Sequence, residues 1–136
     1  MKTKIVFCIQ LFFVGIFLLI FTSCENKNSD NPLLDTQWGG MAKIPMEEEI
    51  ILKFSKDKMD VILENKVIES TQYAVKGDHI NFSKISGGSP CENGAKGVYT
   101  YEIIGDKLMI TTVTDECVAR TKSLKGGVYT KIEDSK

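Results

Sequence analysis

The sequence predicts an all-β domain of eight antiparallel strands, an up-and-down meander in chain order that closes into a small barrel. Three observations carry this. One hairpin pattern is written twice, as Tyr73-Ala-Val75-Lys-Gly77-Asp78-His-Ile80-Asn-Phe82 and as Tyr101-Glu-Ile103-Ile-Gly105-Asp106-Lys-Leu108-Met-Ile110. Alternating apolar residues recur through the rest of the chain with no crossover helix between them. The third observation is that the two long connections of such a meander fall at one end, and each carries a cysteine.

The chain starts with a basic Met1-Lys2-Thr3-Lys4, an apolar run from Ile5 to Phe21, small Thr22-Ser23, and Cys24. Residues 1–23 therefore read as a signal peptide rather than a span, since the apolar run is short for a membrane crossing. Phe21-Thr22-Ser23-Cys24 resembles the lipobox of bacterial lipoproteins, with Phe where Leu is commoner. The resemblance implies that Cys24 carries the acyl chains, palmitate among them, and becomes the mature N-terminus. Two or more chains there would hold the protein on a membrane permanently. Residues 24–35 are polar and aperiodic with Pro32 inside, which reads as a tether reaching on the order of 30 Å.

The domain expected over 36–136 begins with a short strand, Thr36 to Gly40, ending in a flexible glycine pair, and a loop from Met41 to Glu47 containing Pro45. Ile50, Leu52 and Phe54 share one face of the next strand, and Met59, Val61 and Leu63 return opposite them after a turn at residues 55–58. Asn65-Lys66 turns into the strand ending at Val75, where the parities of Ile68 and Tyr73 conflict and predict a bulge near Glu69-Ser70-Thr71. In each Gly-Asp hairpin the glycine suits the first position of a type II′ turn. That turn sets Val75 opposite Ile80, Tyr73 opposite Phe82, Ile103 opposite Leu108 and Tyr101 opposite Ile110, with every pair on one face. Residues 86–97 form a Gly-rich loop around Cys91. A strand follows it where a P-loop needs a helix, so it reads as a surface loop. Residues 114–125 connect to the last strand, Val128 to Ile132, and Asp115 is placed to cap a single helical turn carrying Cys117 and Arg120.

Cysteine arithmetic then closes. Of four cysteines, Cys8 leaves with the signal peptide and Cys24 is lipidated, so Cys91 and Cys117 remain as a disulfide pair in an oxidising compartment. A metal site is not expected, because two cysteines and the single histidine do not make a closed zinc site. Seventeen basic residues against eighteen acidic ones give a formal charge of −1, with no basic field for nucleic acid.

The Trp38 strand, the repeated Tyr-x-apolar-x-Gly-Asp hairpins, and Asp115-Glu-Cys117-Val-Ala-Arg120 before a Gly-Gly-Val-Tyr-Thr strand resemble the calycin group, in particular the small lipocalin-like lipoproteins of the Bacteroides type. The resemblance covers about residues 35–131. It implies a lipocalin-like barrel and a place in the cell envelope, most naturally the outer membrane. The Gly-x-Trp of lipocalins proper is absent, with Thr36 in the glycine's place. Arg120 precedes the last strand and so sits at the opposite end from Trp38.

Several residues are candidates for a ligand site: Trp38, Tyr73, Tyr99, Tyr101 and Arg120. The tyrosines bring rings and hydroxyls suited to a pocket wall, while small eight-stranded barrels also fill their interiors with side chains. Arg120, the only arginine, could hold an acidic group of a ligand, or simply pair with its neighbours Asp115 and Glu116. His79 reads as a solvated turn residue and Glu47-Glu48-Glu49 as a charged strand entry. No catalytic constellation, Gly-x-Ser-x-Gly elbow or cofactor motif is present. The expected function is therefore non-enzymatic: a lipid-anchored envelope protein binding a small apolar or weakly anionic ligand. The alternative is an interaction module presenting loops 41–47, 86–97 and 114–126 to another envelope protein.

Overall fold

The computed structural model describes residues 31–133. The expected signal peptide, Cys24 and the expected tether up to residue 30 lie outside them. Eight strands follow one another: β1 (Gln37–Ile44), β2 (Met46–Phe54), β3 (Lys58–Leu63), β4 (Lys66–Lys76), β5 (His79–Gly87), β6 (Lys96–Ile104), β7 (Lys107–Asp115) and β8 (Val128–Ile132). Each pairs antiparallel with the next, and β8 returns to β1 through Gln37↔Ile132, Trp38↔Lys131 and Gly39↔Thr130. The closed eight-stranded barrel is the expected meander, and it is consistent with a lipocalin-like fold.

Both Gly-Asp hairpins have the register that their alternation requires, including Tyr73↔Phe82, Val75↔Ile80, Tyr101↔Ile110 and Ile103↔Leu108. Gly77 and Gly105 take φ of 62° and 58°, values a side chain would oppose. The bulge expected in β4 is present. Ile68 is the extra residue between Val61↔Glu69 and Ile62↔Val67 against β3, and a second shift against β5 falls between Ser70 and Thr71.

Four local expectations are corrected. Residues 41–47 are not a loop: β1 and β2 stay paired to the tip through Ala42↔Glu48, Lys43↔Glu47 and Ile44↔Met46. Pro45 alone makes the turn, where no ladder donor is required; Glu47 and Glu49 are exposed, and Glu48, which shares the parity of Ile50, is half-buried close to the tip. Gly39 and Gly40 are not a flexible strand end. They lie within β1, and a Cβ on Gly40 would stand 2.6 Å from Cδ1 of Tyr129. The turn after β3 is Glu64-Asn65, both at positive φ (48° and 63°), one residue earlier than expected. The helical turn after β7 is a seven-residue helix, α1 (Val118–Leu124).

The folded unit also begins before residue 36. Asn31 to Asp35 form a turn whose Leu33 is completely buried in the common core. Asn31 Nδ2 donates to the Tyr73 hydroxyl at 2.9 Å, and that hydroxyl donates to the Ser55 carbonyl at 2.8 Å. The last five residues of the expected tether thus cap the end of the barrel that carries the Gly-Asp turns.

The interior is unevenly filled. Trp38, Phe54, Tyr73, Phe82, Tyr99 and Tyr129 are all buried, and Phe54 packs edge-on to Tyr73, as Phe82 does to Tyr99. At the opposite end, where β1 ends and β2 begins, the inward residues are Ala42, Ile44, Ile50, Met59, Val61 and Leu63. Rings fill one half, and the smaller aliphatic side chains of the other half leave space.

Candidate functional site

That space is a cavity of about 580 Å³. Its walls are mostly apolar: Ala42, Ile44, Ile50, Met59, Val61, Leu63 and Ile68 from β1 to β4, and Leu124 from α1. Gly88, Ser89, Pro90 and Cys91 of the β5–β6 connection close one side, and Ala119, Arg120, Lys122 and Ser123 of α1 another. The volume lies within the range of small-molecule sites.

The cavity's cover is held by three devices. The disulfide joins Cys91 to Cys117 with their Cα atoms 5.3 Å apart, linking the two long connections at one end as the meander requires. Lys84 is the second. The alternation that buries Ile80 and Phe82 also carries Lys84 inward, and its ammonium donates to the Ser89 and Cys91 carbonyls at 2.9 and 2.7 Å and to the Ser89 hydroxyl at 3.1 Å. The buried Glu69 carboxylate stands 3.9 Å from it. The third is α1 itself, whose Ser123 hydroxyl donates to the Lys43 carbonyl at 2.9 Å.

Arg120 lies under this cover, 6% exposed. Its guanidinium grips Asp115 in two parallel bonds, Nε to Oδ2 and Nη2 to Oδ1, each 2.7 Å, and Nη2 also donates to the Ala95 carbonyl at 3.1 Å. Asp115 further accepts the Tyr99 hydroxyl and the Cys117 N–H, the latter at 2.7 Å. Burial by itself would raise the Asp115 carboxyl, but the bonds from Arg120, Tyr99 and Cys117 outweigh it and hold it below the usual carboxylate range. Burial and the neighbouring Asp115 both push the Tyr99 hydroxyl up. The pairing expected between Arg120 and Asp115 is therefore present, but it is buried rather than a solvated surface pair, and Arg120 Nη1 has no hydrogen-bond partner.

Of the other site candidates, Tyr99 touches this network through its hydroxyl. Trp38, Tyr73 and Tyr101 stand away from the cavity, in the filled half. Trp38 Nε1 donates to the Thr36 hydroxyl at 2.8 Å, and the half-buried Tyr101 donates to the Gly77 carbonyl at 3.1 Å. His79 is half-exposed beside Asp78 at the hairpin end, remote from the cavity. Lys84 and Glu69 were missed in the sequence, although alternation from Phe82 and from Tyr73 places both on the inner face. Among the described residues, no group of three or more His, Cys, Asp or Glu could hold a metal ion.

No family model, no curated protein and no solved structure matches the chain.

Proposed function

We propose that this chain is a lipid-anchored protein of the bacterial cell envelope, most naturally of the outer membrane, whose barrel binds a small apolar molecule. The observation that carries the reading is the hollow half of the barrel, about 580 Å³ walled by aliphatic side chains beneath a braced cover. A barrel used only as a scaffold has no need of such a space, because an unfilled apolar cavity costs stability. Binding by burial suits this wall, and the few polar groups beneath the cover supply orientation. The role proposed is that of a binding module rather than an enzyme: the buried Lys84, Asp115 and Arg120 are engaged with one another's loops and hold the cover in place. The envelope assignment rests on the lipobox-like Phe21-Thr22-Ser23-Cys24.

Titration with an apolar fluorescent dye such as N-phenylnaphthylamine tests the binding reading. The disulfide-intact protein is expected to enhance the dye's emission saturably, with one site per chain. Ala42→Leu, which adds carbon atoms to the wall, should weaken the dye several-fold while the unfolding midpoint stays near that of the wild type. Absence of saturable enhancement would refute the reading.

A further inference from the structure

We propose that the ligand of this cavity is uncharged and carries a hydrogen-bond donor, a hydroxyl or an amide N–H, which it gives to the carboxylate of Glu69. The proposal rests on the binding reading above and narrows its ligand.

Glu69 lies on the inner face of the barrel. In β4 it shares the parity of the buried Thr71 and Tyr73. Its partner on β3 is Val61, and Val61, Glu69 and Ser89 all border the cavity. Glu69 is 8% exposed. The Lys84 ammonium stands 3.9 Å from its carboxylate, beyond hydrogen-bond reach. An ammonium has three donors, and those of Lys84 are committed to the Ser89 carbonyl and hydroxyl and to the Cys91 carbonyl. Among the described residues, no donor bonds the Glu69 carboxylate. The carboxylate is nevertheless open. The side-chain atoms both sealed and unpartnered are Thr71 Oγ1, Arg120 Nη1 and the Tyr129 hydroxyl oxygen, and neither Glu69 oxygen is among them. The surface that Glu69 keeps belongs to the inner wall, beside the space it borders. A carboxylate only accepts, so what is missing is a donor. A purely apolar ligand would drive water from this wall and leave the carboxylate with no hydrogen bond, the costly case for a buried charge. A donor on the ligand removes that cost.

Charge decides what kind of donor. Lys84 already matches the charge of Glu69, and Arg120 and Asp115 match one another. A ligand ammonium would bring a second cation beside Lys84, and a ligand carboxylate would face Glu69 itself. Lys43 and Lys122 also border the cavity, but both are exposed, and water and salt screen them. A neutral hydroxyl or amide satisfies Glu69 without adding charge.

Displacement of N-phenylnaphthylamine from the disulfide-intact protein by decanol and its isomer methyl nonyl ether tests this. The two share one atomic composition, and only the alcohol donates. Into a purely apolar space the ether transfers better, because the alcohol gives up its donor bond to water. Wild-type protein should instead take the alcohol about tenfold more tightly than the ether. Glu69→Met removes the acceptor and should return the preference to the ether. Wild-type protein that prefers the ether would overturn the proposal, a comparison that holds even if the variant does not fold. So would a folded Glu69→Met protein that keeps the alcohol preference, or wild-type protein that takes decylammonium more tightly than decanol. In each of these cases the dye still binds, and the cavity reading survives. Failure of the dye to bind wild-type protein would overturn that reading itself.

Discussion

Removing the Cys91–Cys117 disulfide should weaken the barrel without changing its topology. The bond closes a loop with a sequence separation of 26. In the chain-entropy model a loop of that length restrains the unfolded chain by about 3.5 kcal/mol at room temperature. With a urea dependence of about 1.5 kcal/mol per molar for a domain of this size, the midpoint should fall by about 2 M on reduction or in Cys91→Ala/Cys117→Ala. The structure also says where the native state should loosen. Around Cys91 the β5–β6 connection keeps other restraints: Lys84 holds Ser89 and Cys91, and Gly94 N–H donates to the Lys84 carbonyl at 2.8 Å. The start of α1 also keeps restraints, Cys117 N–H and the Arg120 guanidinium on Asp115, although its N-cap Cys117 makes no side-chain cap bond. Amide exchange should therefore rise in both joined connections, at residues 88–95 and 117–124, and not at the Gly-Asp hairpins. The assay is a urea titration with hydrogen exchange on oxidised and reduced protein. A fall below about 1 kcal/mol, or uniform loss of protection including the hairpins, would refute the reasoning.

The remaining expectations concern the network and the anchor. Gly97→Ala should cost about 1–3 kcal/mol by overpacking, because the new Cβ would stand 2.6 Å from Asp115 Oδ2 and 2.8 Å from Tyr99 Cε2; urea midpoints check it. The Asp115 carboxyl is held below its ordinary value, so its contribution is fully present above the unfolded-state pKa, near 4, and is lost as pH falls through the lower folded value. Stability measured down the acid limb should decline more steeply in wild type than in Asp115→Asn, and parallel curves would count against the network. Cys24→Ala should abolish palmitate labelling and release the protein from membranes; continued labelling and membrane fractionation would exclude lipidation at that cysteine.

What the sequence made legible was local. The two Gly-Asp hairpins could be folded on paper to the exact partner of each residue, because a period of two and a two-residue turn leave no freedom of register. The meeting of Cys91 and Cys117 followed from counting connections. The β1–β2 tip escapes the sequence reading because acidic residues and Pro45 look like a loop, whereas a one-residue tip accommodates the proline and the strand end accommodates the acids, Glu47 and Glu49 on its exposed face and Glu48 half-buried close to the tip. The buried Lys84 was hidden by its residue type, since a lysine is rarely placed inside, though the alternation from Ile80 and Phe82 leads to it. The hollow half was the least legible. It depends on the sizes of Ala42, Ile50, Val61 and Leu63 coming together around one space from β1, β2 and β3. No single stretch of sequence carries that sum, and the ring-filled half differs only in which inward positions hold Trp, Tyr and Phe.

The central claim, a barrel half-filled by its own rings and half-filled by a ligand, is tested most directly by native mass spectrometry of the protein purified from its own envelope. The expected result is a retained small molecule, one per chain, that is lost on denaturation and less abundant in Ala42→Leu. Protein recovered at its bare mass with the disulfide intact, accompanied instead by a stoichiometric partner protein, would contradict the account.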